Sequence, residues 1–219
     1  GGWKYLYDTV TLTNNGAMVL NGATGIYAYN AGAKTINNTG TWDIQTDADT
    51  TYYLGTLTIN NSGSLTKSAG TAVSILNGLN NSGTVSVTSG TLQLDTDGGT
   101  GSHTHSGAFN VGTGATLDFN SGTHTLDAAS SLTGLGTTQF SGATMAVNTA
   151  AIPQLTITAG TAAINSALAI NTLNLSGGTL NGTGNTTIST AFNWSGGGLG
   201  GSGTFTTGAL STNILSGGG

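Results

Sequence analysis

Apolar and polar residues alternate along most of the chain in runs of four to six. Thr56-Leu57-Thr58-Ile59, Thr84-Val85-Ser86-Val87, Thr91-Leu92-Gln93-Leu94, Thr116-Leu117-Asp118-Phe119 and Leu155-Thr156-Ile157 show the pattern. Successive side chains of a strand point to opposite faces, so the alternation predicts short strands with one buried face. It places Leu57, Ile59, Val85, Val87, Leu92 and Leu94 inside and Thr91 outside. Asn-Gly, Ser-Gly and Gly-Gly pairs separate the runs and predict turns.

The turns recur with a period. Gly70, Gly90, Gly122, Gly142, Gly160, Gly178, Gly197 and Gly218 each follow a small residue, at intervals of 20, 32, 20, 18, 18, 19 and 21. Residues 174–187 and 193–206 share Asn, Ser, Gly, Gly, Leu, Gly, Gly and Thr at an offset of 19. Asn60-Asn61-Ser62-Gly63 returns as Asn80-Asn81-Ser82-Gly83, and Asn37-Asn38-Thr39-Gly40 is a further copy. The long interval predicts a turn-rich loop insertion at 97–108 that protrudes and is dispensable for folding.

A unit of about 20 residues with short strands cannot bury its own apolar face and must stack on copies of itself. The expectation is an all-β parallel β-solenoid, one domain over 1–219, with about ten coils of 18–22 residues. At the usual interstrand spacing, about ten coils give a rod about 48 Å long. The right-handed form is favoured, because the period exceeds three hexapeptides and hexapeptide signatures are absent. Asn at one corner of successive coils predicts a side-chain amide ladder. A sandwich or barrel explains the alternation but not the period.

Composition narrows the function. Gly, Thr, Asn and Ser supply more than half of the 219 residues, Arg, Glu and Cys are absent, and the net charge is −5. Without Arg, three Lys cannot neutralise a nucleic-acid backbone, so nucleic-acid binding is excluded. No disulfide or thiolate metal site exists. No run approaches the roughly 18 apolar residues of a membrane helix, so no membrane insertion is expected. Residues 128–219 carry no charged side chain. Such a stretch is hydrated by hydroxyls and amides, or covered by other subunits.

The segments I-N-N-S-G-S-L (59–65), L-N-N-S-G-T-V-S-V (79–87) and S-G-G-T-L-N-G-T-G (176–184) resemble repeats of secreted bacterial β-helical exoproteins, such as autotransporter passengers and filamentous-haemagglutinin-like adhesins. The resemblance covers most of 35–219. It implies a β-helical architecture and a bacterial, extracellular or cell-surface location. It carries over no binding residue.

Candidate chemistry is sparse. Asp95 and Asp97, followed by His103 and His105 with His124 one repeat on, offer oxygen and nitrogen ligands for a divalent metal. The alternative is a solvated turn with incidental histidines. Asp43, Asp47 and Asp49 form a second acidic cluster, read either as a calcium site or as a solvated loop. Trp3, Tyr5, Tyr7, Tyr27, Tyr29, Trp42, Tyr52 and Tyr53 all precede residue 54. They form a surface stack for glycans or a partner, or they plug the solenoid end; the plug is favoured. Regular Thr-x-Thr pairs hint at ice binding, but their phase drifts.

A glycosidase needs two positioned carboxylates, and the last 92 residues contain none. The expectation is therefore a non-enzymatic, structural or adhesive module with no cofactor. The alternative is a glycan-processing β-helix, a polysaccharide lyase or hydrolase. The expected partners are copies of itself, end to end in a filament or within a longer solenoid, and a glycan or cell-surface receptor. Both ends carry the Gly punctuation with no atypical cap, which suits such stacking.

Overall fold

The computed structural model describes residues 2–96 and 101–217. Parallel strands stack as a β-solenoid of about ten turns, and no helix forms among the described residues. None is therefore long and apolar enough to cross a membrane. Each turn contributes up to three strands, and equivalent strands of successive turns form three faces. The first face begins with Lys4–Tyr7, Ile26–Tyr29 and Thr50–Tyr52 and resumes with Val73–Asn77, Thr91–Asp95, Thr116–Phe119 and Thr137–Phe140. The second runs Val10–Asn14, Ala33–Asn38, Thr56–Asn61, Leu79–Asn81, Ser102–His105, Thr123–Leu126 and Thr144–Val147. The third runs Ala17–Leu20, Thr41–Ile44, Ser64–Lys67, Thr84–Val87, Ala108–Val111 and Ser131–Gly134. Later turns tighten until the long strands Leu168–Gly182 and Thr186–Leu199 pass through the corners.

The alternation does what a stacked fold requires of it. Leu57, Ile59, Val85, Val87, Leu92 and Leu94 are fully buried, whereas Thr91 is half-buried on the outer side. Parallel in-register pairing puts like on like, as in Thr91↔Thr116, Leu92↔Leu117 and Leu94↔Phe119. Phe119 is aligned with Phe140, their rings edge to face at 5.7 Å. Burying each such side chain contributes about 1.5–3 kcal/mol before chain entropy is counted.

The repeated Asn-Asn-Ser-Gly motif builds a corner. Its second Asn points inward, and the side-chain amides chain together across turns. Asn14 Nδ2 donates to Asn38 Oδ1, Asn38 to Asn61 and Asn61 to Asn81, each at 2.7 Å. Each of these amides also donates to a backbone carbonyl one turn on, of Thr41, Ser64 and Thr84 respectively. Buried polar groups are tolerated when satisfied in this way. The first Asn of the motif lies outside and makes a looser ladder, Asn60 to Asn37 at 3.0 Å and Asn80 to Asn60 at 3.3 Å. The Gly is fixed by crowding rather than by its φ. A methyl on Gly83 would collide with the carbonyl oxygen of Gly63, and one on Gly107 with that of Gly83.

The expected loop insertion at 97–108 needs correction. Ser102–His105 is a strand of the second face, aligned with Thr123–Leu126, and Ala108 opens the next strand. Thr104-His105-Ser106-Gly107 occupies the Asn-Asn-Ser-Gly corner, with Asn81 aligned on His105. Residues 97–100 lie outside the described residues. The apparent 32-residue interval arose because the punctuating Gly changes column. Gly90 precedes Thr91, which aligns with Thr116, whereas Gly122 precedes Thr123, which aligns with Ser102. The turns are also less uniform than 18–22 residues. They range from 17, as in Thr144↔Thr161, to 25, as in Thr91↔Thr116.

Two lysines stand inside the stack. Lys34 aligns with Val10 and Leu57, and Lys67 with Ile44 and Val87. Both are fully buried. Each runs its aliphatic stem through the core and ends on corner carbonyls. Lys34 Nζ donates to the carbonyls of Asn30, Ala31 (3.0 Å) and Gly32 (3.1 Å). Lys67 Nζ donates to those of Thr46 (3.1 Å) and Ala69 (3.0 Å) and pairs with Asp47 Oδ1 at 2.9 Å.

Candidate functional site

Of the residues singled out as metal ligands, Asp95 is separated from His103 and His105. Asp95 lies on the outer side of the first face. Its Oδ1 accepts from Asn120 Nδ2 (2.9 Å) and Ser121 Oγ (3.1 Å), and its Oδ2 from Gln93 Nε2 (3.0 Å). Three donors around one carboxylate suit an anion and repel a cation. Asp97 lies outside the described residues. His103 and His105 point the other way, into the core, where His124 joins them. Among the described residues, no three His, Asp or Glu side chains form a group that could hold a metal ion.

The histidines instead form an internal stack. The rings of His105 and His124 lie nearly parallel with centroids 5.3 Å apart, and His103 is 5.4 Å from His124. His124 Nε2 is 3.0 Å from the Ser121 carbonyl, which can only accept, so this nitrogen carries the proton. In neutral His124 the Nδ1 must then accept, and His105 Nε2–H donates to it at 3.0 Å. His105 Nδ1 is left as a buried lone pair without a donor. Burial holds His105 well below the ordinary imidazole range, reinforced by His124 and His103. Burial likewise pulls His124 down to about 4, against the Ser121 carbonyl, which favours its charged form.

The second acidic cluster is also spent on the fold. Asp47 binds Lys67 and accepts from the Ala72 N–H at 3.1 Å; the Lys67 hydrogen bond lowers its pKa. Asp49 Oδ1 accepts from the Ile75 N–H at 2.8 Å, and burial raises its pKa. That bond replaces a backbone pairing where the first face is interrupted, with Thr50 Oγ1 accepting from Asn77 N at 2.9 Å beside it. Asp43 Oδ2 accepts from Gln45 Nε2 at 2.7 Å.

Sequence reasoning passed over Asp118. It holds an outer strand position, yet Gln93 and Gln139 flank it in register and leave it buried. Ser141 Oγ donates to its Oδ2 at 2.9 Å, and burial raises its pKa. The alternation assigns its side but not its coverage, which depends on long neighbours one turn above and below.

The aromatic residues do not plug the end. Trp42 alone is in the core, and Tyr52 is partly buried. The others stand on the outside of the three-stranded sheet formed by Lys4–Tyr7, Ile26–Tyr29 and Thr50–Tyr52. Register places Tyr5 beside Tyr27 and Tyr7 beside Tyr29. Tyr53 follows in the Tyr7–Tyr29 column, its ring stacked on Tyr29 at 5.7 Å and 15°. Trp3 packs on Tyr27 at 5.6 Å. The six rings form one contiguous grid with neighbouring centroids 5.6–5.9 Å apart. Trp3, Tyr5, Tyr7, Tyr29 and Tyr53 remain 37–59% exposed. Isolated exposed apolar residues are ordinary, but a contiguous set marks a surface with a use.

The chain matches no protein-family model, no curated protein and no solved structure. Its likeness to secreted bacterial β-helical exoproteins rests on the repeat motifs alone.

Proposed function

We propose that the chain is an extracellular structural or adhesive β-solenoid, a non-enzymatic rod that displays a binding surface. The observation that carries this reading is the exposed aromatic grid on a face held by parallel pairing. Tyr and Trp supply large contact area at low conformational cost, which suits adhesion. The carboxylates of Asp43, Asp47, Asp49, Asp95 and Asp118 and the rings of His105 and His124 are engaged with the protein itself. Protein immobilised on beads should be retained under flow on cell, mucin or polysaccharide surfaces. Beads that pass all three like uncoated beads would overturn the adhesive reading.

Self-association is the second part of the proposal. Phe205–Thr207 and Thr212–Leu215 each pair on one edge with Thr186–Ile188 and Ala191–Trp194, and among the described residues no strand covers the other edge. Ile214 and Leu215 are exposed beside them. Such an edge is a template for a further coil, including one from a second copy. Light scattering at rising concentration should show growing assemblies; a constant 21.5 kDa mass would overturn this part.

The glycan-processing alternative draws on one observation. Asp95 and Asp118 lie on adjacent turns, and Ser141 Oγ is within reach of both Asp118 Oδ2 and the Asn120 amide that binds Asp95. Release of reducing ends from a polysaccharide, abolished by Asp118→Asn, would restore it.

A further inference from the structure

We infer that the aromatic grid of Trp3, Tyr5, Tyr7, Tyr27, Tyr29 and Tyr53 binds a neutral polysaccharide. This rests on the adhesive reading and names its ligand. The size of the grid argues against a protein partner. An aromatic side chain presents about 150–250 Å², and Trp3, Tyr5, Tyr7, Tyr29 and Tyr53 are 37–59% exposed, so the grid offers roughly 350–600 Å² of accessible surface. A specific protein interface needs about 800 Å² on each side. A second copy docking through this grid alone would fall short of that area, whereas a narrow polymer of sugar rings is matched to it.

The chemistry selects a sugar. The negative faces of phenol and indole rings attract the weakly positive C–H face of a pyranose. Tyr hydroxyls and Thr51, in the Tyr5–Tyr27 column, offer hydrogen bonds to the sugar hydroxyls. The electrostatics select a neutral one. Lys4 shares the strand, but its Nζ is turned to the Thr24 carbonyl at 3.1 Å. The nearest exposed charge at the Tyr7 edge is Asp8, held by Asn30 Nδ2 at 2.7 Å, which repels acidic glycans. A membrane is disfavoured because the grid is built of aromatic rings, with exposed Leu54 only at its rim, and because Lys4 is held by the Thr24 carbonyl rather than offered to anionic lipid.

The test is retention of the whole chain on insoluble cellulose, chitin and starch, with calcium polygalacturonate gel and phosphatidylcholine vesicles alongside. Retention is expected on at least one neutral polysaccharide, and it should survive about 0.5 M NaCl because no ion pair is involved. The double variant Tyr5→Ala/Tyr29→Ala removes two central exposed rings and should weaken binding about tenfold. If that variant misfolds by circular dichroism, Tyr53→Ala, at the rim, should weaken it about threefold. Binding to no neutral polysaccharide, undiminished binding by folded variants, or a preference for vesicles or polygalacturonate would overturn the inference. Beads bearing the variant that adhere under flow as well as wild type would overturn the grid's role and leave the adhesive reading standing. Wild-type beads that adhere nowhere would remove the reading itself.

Discussion

Asn61 is bonded on both sides, accepting from Asn38 and donating to Asn81, in a part of the core that water does not reach. Replacing it with Ala leaves the Asn81 side-chain carbonyl without its donor, removes one partner from Asn38 and takes a donor from the part-buried Thr84 carbonyl. The expected cost is about 2–4 kcal/mol, from two buried groups each losing a bond. Asn60, one residue earlier and on the outer ladder, has water as a substitute partner, so Asn60→Ala should cost at most about 0.5 kcal/mol. Urea unfolding of the two variants would show the contrast, and equal costs would contradict the inward placement. The histidine stack carries a pH signature. Unfolded imidazoles titrate near 6.5, while folded His124 titrates at about 4 and burial holds His105 well below the ordinary range. As pH falls below 6.5 the unfolded chain binds protons that the folded chain refuses, so stability declines by up to about 1.4 kcal/mol per pH unit for each ring. The decline continues until folded His124 itself titrates. Asp118 and Asp49, raised by burial, act with the opposite sign in the lower part of this window, and Asp47 loses its contribution only below the normal carboxylate range. Thermal melts at pH 7 and 5 should show the loss. His124→Met, which copies the Met145 aligned with it, should make it shallower.

The strand Ser102–His105 carries the lesson about what the sequence reveals. Deleting 97–108 removes that strand and the first residue of the next, so the second face loses a layer between Leu79–Asn81 and Thr123–Leu126. The deletion should abolish cooperative melting or lower the midpoint by well over 10 °C, roughly what a loss of several kcal/mol produces in a domain of this size. A melt like that of wild type would mean the turns close without it. The strand was legible in outline, since Thr104-His105-Ser106-Gly107 ends as the Asn corner does. It is obscured because His replaces Asn and because the punctuating glycines Gly90 and Gly122 stand in two different columns. Alternation showed which side of each strand is apolar, and it correctly placed Leu57 through Leu94. It also held, unread, the two core lysines: Lys34 lies two residues before Ile36 and Lys67 two after Leu65, each in an inward position. Their charge argued for the surface, and only the corner carbonyls around each Nζ explain why the interior accepts them. The opposite fate of Asp95 and His103 is not visible in the alternation, because the two residues belong to different strands on different faces and alternation within one strand does not fix the phase of the next.

Across the whole molecule, stability is set between neighbours, since each turn touches only the turns above and below it. The bonds that join them run along the rod: Ser62 to Asn38, Ser82 to Asn61, Ser106 to Asn81 and so on, each between one turn and the next. A tether pulling on the two ends therefore loads these bonds in peeling rather than in shear. They give way a few at a time, and the rod should unwind turn by turn at modest, repeated force instead of rupturing once. Each step would free one turn of 17–25 residues, a contour gain of about 60–85 Å at about 3.4 Å per residue. The step sizes should follow the turn lengths, shorter where Thr144 meets Thr161 and longer where Thr91 meets Thr116. Single-molecule pulling would record a sawtooth, and one large extension would show that the turns fail together. For a molecule anchored at one end and attached to a surface at the other, such a filament behaves as a shock absorber, lengthening under a sudden load while the grip at its tip is spared.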